Sequence, residues 1–138
     1  TFLATTLLAS GAMAQDVTLT IESWRNDDLT IWQDKIIPAF EAANAQVVGV
    51  SADHAATLEA FANANKTKHL LLSDFRRQML PAYDALVTDD KSPIFRYAKR
   101  AYFILDKDGV VRYMKIQTNA LDLLKPEEVL KALKDSGA

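Results

Sequence analysis

Strand-period and helix-period segments alternate along this chain until two strand-like runs meet across Asp106-Lys107-Asp108-Gly109, and that order constrains the fold more than any other feature. Residues 17–24 alternate apolar and polar, the period of a strand with one buried face. Arg25-Asn26-Asp27-Asp28 offers helix caps, and Leu29, Trp32, Ile36 and Phe40 follow at helical spacing, with Pro38 predicting a kink. Residues 46–50 read as a short buried strand, and 55–64 as a helix turning Leu58 and Phe61 inward. Residues 69–72 read as the next strand; Ser73-Asp74 caps a helix expected from Phe75, which Pro81 should bend or shorten. Residues 88–93 are polar and turn-prone. The runs 101–105 and 110–115 form a hairpin, because Asp-Gly suits the positive φ angles of a tight turn. Pro126 opens a last helix with Glu127 and Glu128 in its first turn and Lys131 and Lys134 late, as the helix dipole favours.

The predicted order is therefore β-α-β-α-β-α-β-β-α, an α/β fold with a central mixed sheet covered on both faces. A length of 138 residues and 49% hydrophobic content suit a single domain over 15–138. The formal charge of −2, with both signs interspersed, gives no basic footprint for nucleic acid. There is no cysteine, which excludes disulfides, thiolate metal sites and thiol catalysis together. The two histidines are isolated and no His/Asp/Glu cluster has metal-ligand spacing, so no metal is expected, and no motif calls for another cofactor. Residues 1–14 are apolar and end Ala12-Met13-Ala14 before Gln15, like the late part of a secretory signal peptide without its charged start. Acting as a signal, that segment would send the chain to the periplasm or outside; otherwise the chain stays cytoplasmic. The segment is too short to span a bilayer.

The stretch Gln46-Val47-Val48-Gly49-Val50-Ser51-Ala52-Asp53, the run Leu71-Leu72-Ser73-Asp74-Phe75 and the segment from Ala98-Lys99-Arg100 through Asp108-Gly109 to Tyr113 resemble a peroxiredoxin of the alkyl hydroperoxide reductase/thiol-specific antioxidant type. The resemblance covers about 40–138. It implies a thioredoxin-like fold, a thiol peroxidase label and a homodimer. It places the family's active-site arginine at Arg100 and, counting back from Phe40, the family's peroxidatic cysteine near Arg25, Asn26 and Asp27. The family's Pro-x-x-x-Thr-x-x-Cys loop is missing, so peroxidase activity is not expected. Residues 15–44, with the strand from Asp16 to Trp24 and a helix ending Phe40-Glu41-Ala42-Ala43-Asn44, are similar to the opening of an ABC-transporter sugar-binding protein. The chain thus reads as a chimera with a seam at 40–46 and peroxiredoxin-like sequence over 45–138. A secreted solute-binding fragment and a non-catalytic interaction module are the alternatives.

Bland roles compete with chemistry at each remaining candidate. Arg100 beside Lys99 could be a salt-bridged or solvent-facing side chain. Asp53-His54 and Ser73-Asp74, both at strand ends, are expected to cap helices. His69 is expected to be an ordinary strand residue, and Trp24 a structural one. Tyr97, Tyr102 and Tyr113 are expected to cover the core. The sequence shows no Ser/His/Asp triad, phosphate loop or paired acid and base.

Overall fold

The computed structural model describes residues 16–21, 29–119, 121–123 and 125–136. Five strands form one sheet in the order β3-β2-β1-β4-β5. They are β1 (Asp16–Ile21), β2 (Ala45–Ser51), β3 (Leu70–Ser73), β4 (Ala101–Leu105) and β5 (Val111–Ile116). β1 runs parallel to β2 and β2 parallel to β3, whereas β4 is antiparallel to both β1 and β5. The helices are α1 (Leu29–Ile31), α2 (Ile37–Ala42), α3 (Ala55–Asn65), α4 (Met79–Ala82) and α5 (Pro126–Asp135), with a π-helical turn, Trp32–Ile36, joining α1 to α2.

Pro38 explains that turn. It has no N–H, and its ring crowds the carbonyl four residues back. The helix widens by one residue just before it, so that the Ile37 N–H reaches the Trp32 carbonyl. The widening keeps Trp32, Ile36, Ile37 and Phe40 all facing inward, each less than a tenth exposed. They pack with Val47, Tyr102, Ile104 and the α5 residues Val129, Ala132 and Leu133. The Trp32 and Tyr102 rings stack at 5.9 Å. On the other face Val48, Val50, Ala101, Phe103 and Leu105 meet Leu80, Ala85 and Ala98. β4 is buried on both faces, which explains its unbroken apolar run Ala101-Tyr102-Phe103-Ile104-Leu105.

Several expectations need correction. The helix expected from Phe75 begins only at Met79 and lasts four residues. Asp74 spends its carboxylate on the N–H groups of Gln78, Met79 and Leu80, at 2.8–3.0 Å, which fixes the start there. Leu58 and Phe61 are half-buried, and α3 has no buried residue. Tyr97 is 47% exposed and covers no core, unlike Tyr102 and the half-buried Tyr113. In the β4–β5 hairpin only Gly109 takes a positive φ, 77°, among the residues of the turn. Asp106 organises the rest, accepting from the N–H groups of Asp108 and Val110 and from Arg112. These donors, the Val110 N–H first, hold its carboxyl below the usual carboxylate range. Among the described residues no helix is long and apolar enough to cross a membrane.

Candidate functional site

The C-terminal ends of β1, β2 and β3 and the start of β4 lie along one edge of the sheet, where ligands gather in α/β folds. Ala101 pairs with Ile21, the last residue of β1, so Arg100 stands beside the point where the chain leaves that strand. Arg100 is 3% exposed, which excludes the solvent-facing reading. Its carbonyl accepts from the Gln117 N–H at 2.9 Å. It borders a cleft of about 470 Å³ shared with Lys99, Ser92, Gln117, Thr118 and Asp89. Lys99 pairs with Asp84 at 2.9 Å. Arg25, Asn26 and Asp27, where the family's cysteine was expected, and Trp24 lie outside the described residues, as does the segment 1–14.

The neighbouring polar residues are spent on holding the strand ends together. Ser51 Oγ donates to Asp53 Oδ2 at 2.7 Å, and Ser73 Oγ to the Asp53 carbonyl at 2.6 Å. His54 caps α3, its Nδ1 accepting from the Ala56 N–H at 3.3 Å. Among the described residues, the Ser51–Asp53 bond is joined by no third group that would complete a relay of acid, base and nucleophile. Among the described residues no three His, Asp or Glu side chains converge as a metal ion requires.

Two further clusters had no signal in the sequence beyond the presence of charged residues. Glu128 Oε1 accepts from the Tyr113 hydroxyl at 2.9 Å and from Lys115 Nζ at 3.0 Å, tying α5 to β5. Those bonds, the Lys115 one first, hold the Glu128 carboxyl low. Burial, reinforced by Glu128, pushes the Tyr113 phenol up to about 12. The second cluster joins residues 75–77 to residues 95–97, through Arg77 Nε donating to the Arg96 carbonyl at 3.1 Å.

The family model described as "AhpC/TSA family" matches residues 33–114. Among solved structures the chain is similar to Mycobacterium tuberculosis AhpC, with TM-score 0.74 and 21% identity over 91% of this chain and 71% of that one. It is also similar to a mutant of Xylella fastidiosa PrxQ, with TM-score 0.73 and 21% identity over 91% and 79%. Plasmodium vivax 2-Cys peroxiredoxin in its reduced form gives TM-score 0.66 and 25% identity over 88% and 76%. No curated protein sequence matches the chain. The family match starts at Gln33, so the seam expected at 40–46 falls inside it, and the solute-binding resemblance of 15–44 finds no support among these relatives. On the fold and on a match spanning more than half its length, this chain belongs to the AhpC/TSA family.

Proposed function

We propose that this chain is a peroxiredoxin-fold protein in which the thiol chemistry is absent, and that it consumes no peroxide. One observation carries the reading: 138 residues without a cysteine, in a family whose named relatives include peroxiredoxins and a thiol peroxidase. Thiol peroxidases need a thiolate to attack a peroxide oxygen, and no hydroxyl, imidazole or thioether here matches its nucleophilicity. Arg100 fills the family's arginine position. A buried guanidinium can bind an anion or polarise an oxygen, but it cannot accept the oxygen atom. In this reading residues 15–138 act as one domain, residues 15–44 supply the strand and helix of the site, and the thiol's place falls at Arg25–Asp27. A homodimer is part of the same reading. The solute-binding alternative is weaker, because the AhpC/TSA match begins at Gln33, inside the stretch 15–44 that carried that resemblance.

The test is peroxide consumption by the purified chain with dithiothreitol as reductant. The rate should equal that of buffer and reductant alone. Catalytic turnover that scales with protein concentration would sink the proposal.

A further inference from the structure

We propose that the surface formed by Phe75, Arg76, Arg77, Phe95, Arg96 and Tyr97 is a docking site for a short acidic protein segment that carries aromatic side chains. This surface lies outside the Arg100 cleft and does not depend on the absence of peroxidase activity.

Two loops, distant in sequence, are held together here by one side chain. Arg77 donates Nε to the Arg96 carbonyl at 3.1 Å and a second nitrogen to the Phe75 carbonyl, and its guanidinium lies 5.6 Å from the centre of the Phe75 ring. His54 meets the same ring edge-on at 5.2 Å. Both acceptors of Arg77 are neutral carbonyls, so its charge is not cancelled. Among the described residues no carboxylate pairs with Arg76, Arg77 or Arg96. Three arginines without a carboxylate partner thus lie on the two loops that the Arg77–Arg96 bond joins, in a chain of net charge −2. Arg77 and Arg96 both hold left-handed backbones, at φ 54° and 65°, which residues with a Cβ seldom adopt. Such conformations persist where the surroundings impose them, and they recur at ligand clamps.

The aromatic side chains point the same way. Phe75 is 52% exposed and Phe95 40%, although phenylalanine is a residue type that folding ordinarily buries, and Tyr97 beside Arg96 is 47% exposed. Arginine and aromatic residues are the types enriched at protein interfaces, where they dominate the binding energy. Carboxylates match guanidinium forks in pairs, and partner rings can stack on the exposed faces. Nucleic acid offers anions and rings as well, but it fits less well. Exposed Asp89 and Asp90, which pair with no cation among the described residues, lie on the segment that carries Phe95–Tyr97, and their charge disfavours a long phosphate chain there. A short acidic segment can end before reaching them.

The test is fluorescence anisotropy with a short fluorescein-labelled peptide of Asp and Glu containing two Phe, against the full chain. Its Asn/Gln counterpart should bind at least about tenfold more weakly, the cost of losing one charge-assisted contact or more. Raising salt from about 0.05 to 0.5 M should weaken the acidic peptide in the same direction. Arg76 is exposed and makes no hydrogen bond with the described residues, so Arg76→Gln should keep the native melting curve while weakening binding several-fold. Arg76→Gln/Arg96→Gln should weaken it further. The proposal is overturned if the wild-type chain does not bind the acidic peptide, if the neutral peptide binds equally, or if Arg76→Gln binds as well as wild type. It is also overturned if an oligothymidylate binds more tightly, or if sedimentation shows a self-association that Arg76→Gln dissolves.

Discussion

His69 shows how one side chain can fit a fold and still cost it stability. Its ring packs over Gly49, whose missing Cβ would sit 3.5 Å from Nε2 and only 2.6 Å from Leu71 Cδ2. Both ring nitrogens are buried without a hydrogen-bond partner among the described residues. Burial therefore favours the neutral ring and lowers its pKa from the ordinary 6.5. Below about pH 6.5 the unfolded chain takes up a proton at this residue that the folded chain refuses, so stability must fall as pH drops through that range. His69→Leu keeps the packing and removes both the proton linkage and the orphaned nitrogens. Melting temperatures measured from about pH 7.5 to 5, at steps of about 0.5, should fall less steeply for the variant than for wild type. Parallel curves would show that the ring is solvated.

At the scale of elements, the ends of α3 and the course of α4 show where sequence patterns lose their authority. α3 ends at Lys66, which takes a left-handed φ of 52° while its N–H bonds to the Ala62 carbonyl. Glycine is the residue that adopts this conformation without cost. Lys66→Gly should stabilise the chain by about 0.5–1 kcal/mol in urea unfolding at constant m-value. No change, or a loss, would mean that the Lys66 side chain holds the helix end in a way the backbone does not reveal.

The elements that were legible in the sequence share one trait: their apolar spacing directly matches the face they bury. The run 101–105, the helix carrying Trp32, Ile36 and Phe40, and the helix that Pro126 opens all have it. Asp74 was legible as a cap, but the distance to its helix was not. A carboxylate can collect N–H groups four to six residues ahead, and only the folded loop decides which. The π-helical turn before Pro38 was equally hidden, since a proline announces a disturbance and not the form it takes. Arg100 was singled out only by resemblance to a family. Its burial could not have been read from neighbours as polar as Lys99. The meeting of Arg77 with Arg96 is a tertiary contact across nineteen residues, and no local pattern encodes it.

At the scale of the whole molecule, β1 is the strand that joins the two halves of the sheet. It lies between β2 and β4, so residues 16–21 complete the sheet. Without β1, two strand edges would face solvent unpaired. The sheet holds β1 in register from Asp16↔Ala45 to Ile21↔Val50 and from Val17↔Leu105 to Ile21↔Ala101. That register brings the end of β1 to Arg100.

If the fold keeps the place for a peroxidatic thiol and lacks only the thiol, returning one should return its chemistry. Asn26→Cys puts a cysteine where the family resemblance locates it, and Glu59→Cys puts one on an exposed turn of α3 as a control. Both variants would be mixed with hydrogen peroxide under single-turnover conditions and loss of free thiol followed against pH. The thiol at position 26 should titrate below the ordinary value of about 8.5 and react at least about tenfold faster at neutral pH than the one at 59. Adding Arg100→Lys to Asn26→Cys should remove most of that advantage, because a lysine cannot reproduce the planar fork. Equal, slow reaction at 26 and 59 would contradict the idea that the thiol's place survives.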